Sequence, residues 1–150
     1  MRAPSQDETI QFRIPGNPKY VSAIRRAVRA IAHNLGFPEG IVEDIEISVA
    51  EALANAVAHG SPRQKGSAVV VTCRVGDDKL VIDVCDEGPG FELPGSEKWD
   101  QALDEHGRGL RLIYHLMDRV RVCRTPKGSR IRMVKEKRPY PRVRPVASSR

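Results

Sequence analysis

Three polar signatures stand in one order along the chain: Glu51-x-x-x-Asn55-x-x-x-His59-Gly60, Asp86-Glu87-Gly88-Pro89-Gly90-Phe91 and Gly107-Arg108-Gly109-Leu110. Each holds residue types with something to offer a nucleotide. Glu51 is a carboxylate able to accept the proton of an attacking hydroxyl. Asn55, one helical turn on, presents a neutral amide oxygen suited to a Mg2+ whose remaining ligands are phosphate and water. Asp86 can accept a hydrogen bond from an exocyclic amine such as that of adenine, and Gly88 and Gly90 remove side chains that would hold a flat base off the backbone. Gly107 and Gly109 precede an apolar helix pattern, where free backbone N–H groups at a positive dipole end form a phosphate seat and Arg108 adds charge. Each signature alone is a common turn or helix entry. Their order, with one strand pair between the first two and a short stretch before the third, carries the reading of a Mg-ATP site.

The elements that must position these residues follow from periodicity. Residues 8–14 alternate polar and apolar as a half-buried strand does, and Pro15-Gly16-Asn17-Pro18 stops it. From Lys19 to Leu35, Val21, Ile24, Val28, Ile31 and Leu35 recur at helical steps, and Gly36-Phe37-Pro38 ends the run. A second helix is predicted from Pro38 to about His59. On a wheel of about 100° per residue, Asp44, Ser48, Glu51, Asn55 and His59 form one polar stripe, beside an apolar arc of Val42, Ile45, Val49, Ala52, Leu53 and Ala56. The stripe contains no Lys or Arg, unlike an ordinary solvated helix face. His59 with Gly60 reads as a helix ending rather than a catalytic group.

Residues 67–75 and 79–85 form a predicted hairpin across Gly76-Asp77-Asp78, and Gly109–Met117 a third helix. Residues 119–125 and 129–135 form a final hairpin across Pro126-Lys127-Gly128. Residues 92–106 lack periodicity and read as a lid. The order β, α, α, β, β, lid, α, β, β excludes a βαβ alternation. It predicts an α+β fold, a mixed, mostly antiparallel sheet with helices on one face.

A length of 150 residues suits one domain that needs no disulfide or structural metal. Of the net charge of +6, residues 135–150 carry +5, because six basic side chains there face only Glu136. Residues 1–134 are thus almost neutral, which argues against a basic nucleic-acid face on the domain. The Pro-rich tail 136–150 reads as a solvated extension, like the N-terminal residues 1–7, which leaves 8–135 as the domain. Cys73, Cys85 and Cys123 are odd in number, sit in strand-like runs without C-x-x-C spacing, and read as reduced core residues. With no signal segment and no apolar run near the roughly 18 residues that cross a bilayer, a cytoplasmic protein without membrane contact is expected.

Taken together these residues resemble the GHKL (histidine-kinase-like) ATPase superfamily. Ser48 to Gly60 resembles its N-box, Asp86 to Phe91 its first glycine box and Gly107 to Leu110 its second. The run Gly107 to Asp118 and the closing Gly128-Ser-Arg-Ile-Arg-Met-Val134 are similar to the anti-sigma-factor serine/threonine kinases of the RsbW and SpoIIAB kind. That resemblance implies a Bergerat-type two-layer α/β sandwich, usually dimeric. Such a protein binds Mg-ATP, sequesters a sigma factor and phosphorylates a serine on a STAS-domain anti-anti-sigma antagonist. Carried over by position, Glu51 is the base and Asn55 the Mg2+ ligand. Asp86 is the adenine contact, and Gly88, Gly90, Gly107, Arg108, Gly109 and Leu110 are nucleotide contacts. A partner-docking arginine of the first helix aligns best with Arg25, beside Arg26 and Arg29. Glu105-His106 stand where relatives carry a basic or hydroxyl residue. A nucleotide-dependent binding module without phosphotransfer is the alternative reading. A histidine-kinase catalytic domain is disfavoured, because 150 residues leave no room for a dimerisation helix pair and His33-Asn34 lacks an acidic neighbour.

Overall fold

The computed structural model describes residues 7–59, 67–86, 107–125 and 128–137, with the backbone alone for His59, Arg108, Arg124 and Thr125. Five strands, β1 (Glu8–Pro15), β2 (Ala68–Val75), β3 (Lys79–Asp86), β4 (Arg119–Thr125) and β5 (Gly128–Glu136), form one sheet in the order β1-β2-β3-β5-β4. Every pairing in it is antiparallel. The mixed sheet expected from the element order is therefore not found among these strands. The hairpins β2–β3 and β4–β5 and the pairing of β1 on β2 all reverse direction, and β5 docks on β3 in the same sense. Strand β5 also runs through Glu136, one residue into the stretch assigned to the tail. The expected lid at 92–106, Gly60, the turn Pro126-Lys127 and residues 138–150 lie outside the described residues.

The helices are α1 (Val21–Asn34), α2 (Glu39–His59) and α3 (Gly107–Leu116), with a 3-10 turn at Pro18–Tyr20 leading into α1. Asn17 starts that turn, its side-chain oxygen accepting from the Lys19 N–H at 3.1 Å. Helix α1 ends as the sequence directs. Gly36 takes the left-handed conformation (φ 82°), its N–H donates to His33 O, and the N–H of Phe37 donates to Ala32 O, a paired arrangement that satisfies the last carbonyls. Phe37 is buried beyond it and Pro38 leads into α2.

Alternation along the strands sends Val69, Val71, Cys73, Leu80, Ile82, Val84, Ile131 and Met133 into one core with the buried stripes of the helices. From α2 that stripe is Val42, Ile45, Val49, Ala52, Leu53 and Ala56, the arc predicted from the wheel, and each large member contributes about 1.5–3 kcal/mol on burial. Ser48 departs from the prediction. It is fully buried, and its hydroxyl has no hydrogen-bond partner among the described residues, so it belongs to the packed edge of the helix rather than to the polar stripe. The far end of α3 is tied to the sheet by the buried Lys135 of β5, whose Nζ donates to Leu116 O at 2.6 Å and compensates the negative helix end. Among the described residues no helix is long and apolar enough to cross a membrane.

All three cysteines are free thiols, but only Cys73 joins the core; Cys85 and Cys123 are half-buried and alternate onto the opposite face of the sheet. Burial, helped by the nearby Asp83 charge, pushes the Cys73 thiol from 9.0 up to about 12. Because the folded pKa is the higher one, this neutral thiol contributes stability that is complete below about pH 9 and is lost as pH rises toward 12. Native protein treated with iodoacetamide at pH 8 is expected to carry no label on Cys73 by peptide mass spectrometry. Labelling should appear once denaturant opens the core, and early labelling in buffer would show that β2 is not held as described.

Candidate functional site

Helix α2 carries Glu51 and Asn55 on successive turns, both half-buried, beside the fully buried Ala52 and Leu53 that lock the helix to the core. The Glu51 side chain reaches the first turn of α3. A Cβ added at Gly109 would overlap Glu51 Oε2 and lie 3.4 Å from its Cδ and 3.6 Å from its Cβ. A side chain there would therefore displace the Glu51 carboxylate, and it is this approach, not the backbone conformation, that favours glycine. Helix α3 begins at Gly107 itself, so Gly107, Arg108 and Gly109 form its first turn instead of preceding it. Their N–H groups still belong to the unsatisfied set at a helix start. Leu110 is buried in the core, so the group it can offer a ligand is its backbone N–H. Gly88, Gly90 and the Arg108 side chain lie outside the described residues.

The carboxylates of α2 divide by their partners. Glu46 meets Arg29 and Arg25, and Glu39 meets Arg29 and His33 (Nε2 to Oε2 2.9 Å). Glu51 forms no ion pair or hydrogen bond with the described residues, which leaves its oxygens able to accept a proton. The hydrogen bond from Arg29 to Glu46, with the adjacent charge of Glu39, holds the Arg29 guanidinium above its ordinary pKa. Arg25 is held more loosely: its Nε stands 3.5 Å from Glu46 Oε1 without the alignment of a hydrogen bond. Arg26 is exposed. Of the three first-helix arginines, Arg29 is committed to α2, while Arg25 and Arg26 can turn outward.

Asp86 closes β3 as a buried carboxylate among the inward-facing residues of the sheet. The hydroxyl of Ser129, its direct cross-strand neighbour on β5, donates to Asp86 Oδ2. Ser129 is a functional candidate that motif reading passes over: it lies 43 positions away, and only the β3–β5 register brings it to the aspartate. The signal available in sequence was the small hydroxyl residue opening a strand after Gly128. Among the described residues no group of three or more acidic, histidine or cysteine side chains gathers to hold a metal by itself.

Residues 14–135 match the Histidine kinase-like ATPase domain family, and the chain belongs to that family. Within it, the chain is similar to the serine-protein kinase RsbW of Bacillus subtilis, with 35% identity over 123 residues, 75% of this chain and 76% of that protein. RsbW of Bacillus licheniformis is 37% identical over the same shares, and RsbW of Staphylococcus aureus 32% identical over 87% of this chain and 88% of its own length. This is the RsbW group of serine-protein kinases. The fold agrees: a crystal structure of the RsbU and RsbW domains of a Mycobacterium tuberculosis protein superposes with a TM-score of 0.65 at 21% identity, covering 92% of this chain and 34% of that longer one.

Replacing Ser129 with alanine takes a donor from a buried carboxylate and is expected to cost about 1–3 kcal/mol of unfolding free energy, read from urea denaturation. An unchanged midpoint would show that Ser129 does not hold Asp86.

Proposed function

We propose that this chain is an anti-sigma factor and serine/threonine protein kinase. It binds Mg-ATP, sequesters a sigma factor and phosphorylates a serine of a STAS-domain antagonist. The observation that carries the reading is the Glu51 carboxylate seated against Gly109, with no ion pair or hydrogen bond among the described residues, which joins the proposed base to the first turn of the helix proposed to hold phosphate. Two motifs more than fifty residues apart in sequence thereby come side by side, which supports the reading of one site. The family and its RsbW relatives support the assignment; the roles of individual residues rest on geometry and chemistry.

In the proposed reaction the serine hydroxyl of the antagonist loses its proton to Glu51 as its oxygen bonds to the γ-phosphorus of ATP. The bond from that phosphorus to the bridging oxygen breaks, and ADP leaves with the electron pair. The N–H groups of Gly107, Arg108, Gly109 and Leu110 are proposed to bind phosphate oxygens, as the free donors of a helix start can. Asp86, oriented by Ser129, accepts from the adenine amine, and Gly88 and Gly90 allow the base to approach. Half-buried Asn55 would hold a Mg2+ through its amide oxygen, and that ion when bound would neutralise phosphate charge. Arg25 is proposed to dock the protein partners. We place the protein in the cytoplasm as a homodimer.

The test is incubation of the full chain with Mg-ATP and its cognate STAS protein. Glu51→Ala is expected to lower phosphoserine formation by at least about 100-fold while leaving ATP affinity near that of the parent. Gly109→Ala must push the Glu51 carboxylate aside. The end of a flexible side chain can yield, and alanine favours helix, so stability should stay within about 1 kcal/mol of the parent. Transfer should nevertheless fall by about tenfold or more as the base is misplaced. Full ATP binding with no phosphoserine on any partner would instead leave a nucleotide-dependent binding module. An unimpaired Glu51→Ala protein would remove Glu51 as the base.

A further inference from the structure

Three large apolar side chains stand exposed among the described residues, Ile47, Leu112 and Tyr114. Single exposed apolar residues are ordinary on a protein surface. Two of these three, however, flank the contact between Glu51 and Gly109. Ile47 precedes Glu51 by one turn of α2, rotated about 40° from it, and Leu112 follows Gly109 by one turn of α3, rotated about 60° from it. The course of the helices sets both on one side of that contact. Helix α1 follows Pro15, which pairs with Ala68 next to the Val69–Asp86 pair, and α2 returns beside it, since Arg25 meets Glu46 and His33 meets Glu39. Helix α3 runs away from Asp86 and ends against Lys135, which pairs with Leu80 at the far end of β3. Helices α2 and α3 are therefore antiparallel, and a step back from Glu51 matches a step forward from Gly109. Both rotations turn away from the buried stripes, so Ile47 and Leu112 form an apolar rim on the groove that holds Glu51. From Ile47 to Ala58 the other residues of α2 that are not buried are Ala50, Glu51, Ala54, Asn55 and Ala58, with no basic side chain among them.

We propose that Ile47 and Leu112 seat an apolar side chain of the protein substrate that neighbours its phosphoacceptor serine, and so select the segment presented to Glu51. The inference rests on the reading of Glu51 as the base. Its argument is one of reach. Side chains one turn apart on a helix are separated by about 5–6 Å, and alternate side chains of an extended segment by about 7 Å. A serine whose hydroxyl reaches Glu51 therefore brings the side chain two places away, or one turn away in a helical segment, over Ile47. With no cation on this stretch of α2, burial of that apolar side chain is the recognition the rim can supply. Glu43 and Asp44, one turn before Ile47, disfavour a phosphate or another anion at the same place. A second copy of the chain is disfavoured by size, because two side chains fall far short of the roughly 800 Å2 per partner that a stable interface buries.

Calorimetric titration of the cognate STAS protein into the full chain, with a non-hydrolysable ATP analogue present, tests it. Ile47→Gln and Leu112→Gln are each expected to weaken binding by about tenfold, while Ile47→Leu stays close to the parent. ATP affinity and the urea midpoint should not move. In the phosphotransfer assay the same loss should appear in KM, with kcat within about twofold of the parent. Glutamine placed singly at each apolar position within four residues of the STAS serine should find one whose effect vanishes in the Ile47→Gln background. Parent-like binding by both glutamine variants, or additivity at every STAS position, overturns the proposal. A loss of ATP affinity would assign the rim to the nucleotide, and a lowered urea midpoint would assign it to packing within the chain; either overturns it as well. Because binding is read without transfer, the two readings fail separately. A chain that transfers no phosphate yet discriminates at Ile47 keeps the rim and loses Glu51 as the base. Full transfer with indifferent variants keeps Glu51 and removes the rim, and a parent that does not bind the STAS protein removes both.

Discussion

The close approach of α2 to the first turn of α3 is the constraint on which the site depends. It is eased by the missing side chain at Gly109, and it sets the Glu51 carboxylate against the first turn of α3. Neither helix would hold this position alone. The apolar stripe of α2 is clamped in the core by Val49, Ala52 and Leu53, and that of α3 by Leu110, Ile113 and Met117 near its end, so both are fixed by burial on the same sheet. The polar residues ride on apolar packing, at separations that side-chain flexibility alone would not maintain.

Charge is handled differently on the two sides of the domain. On α1 and α2, arginines and acids cancel across the helix pair, with Arg29 pairing both Glu39 and Glu46. On the outer sheet face a single buried aspartate, Asp83, serves two arginines, and cations remain in excess. The net charge of a chain therefore conceals its distribution: near-neutrality of residues 1–134 coexists with a basic surface because strand alternation sorts side chains by face. A sum of charge along the sequence does not see this sorting, since it adds residues that the register separates.

Periodicity made most of the elements legible. The helical steps of Val21 to Leu35 and the apolar arc of α2 correspond to buried stripes, and the Gly36 ending is formed as its residue type requires. Glu51, Asn55, Asp86 and Gly109 are singled out by local spacing, because each stands at a helix turn, strand end or glycine pair that marks itself, and their roles stand as proposals. Ser129, the burial of Ser48 and the wholly antiparallel sheet were not found. All three depend on which strand or helix lies next to which, and local sequence does not encode neighbours that far apart.

Strand β5 is the last of the described elements and touches the site region twice. Ser129 at its start holds Asp86, and Lys135 near its end caps α3; both point to the helix side, six residues apart. A slip of one residue would turn both outward together, so the two supports are gained or lost as a unit. A nascent chain emerging from the ribosome therefore has the aspartate and the glycine helix long before it has the brace that secures them. Assembly of this pocket waits for synthesis to reach the final strand.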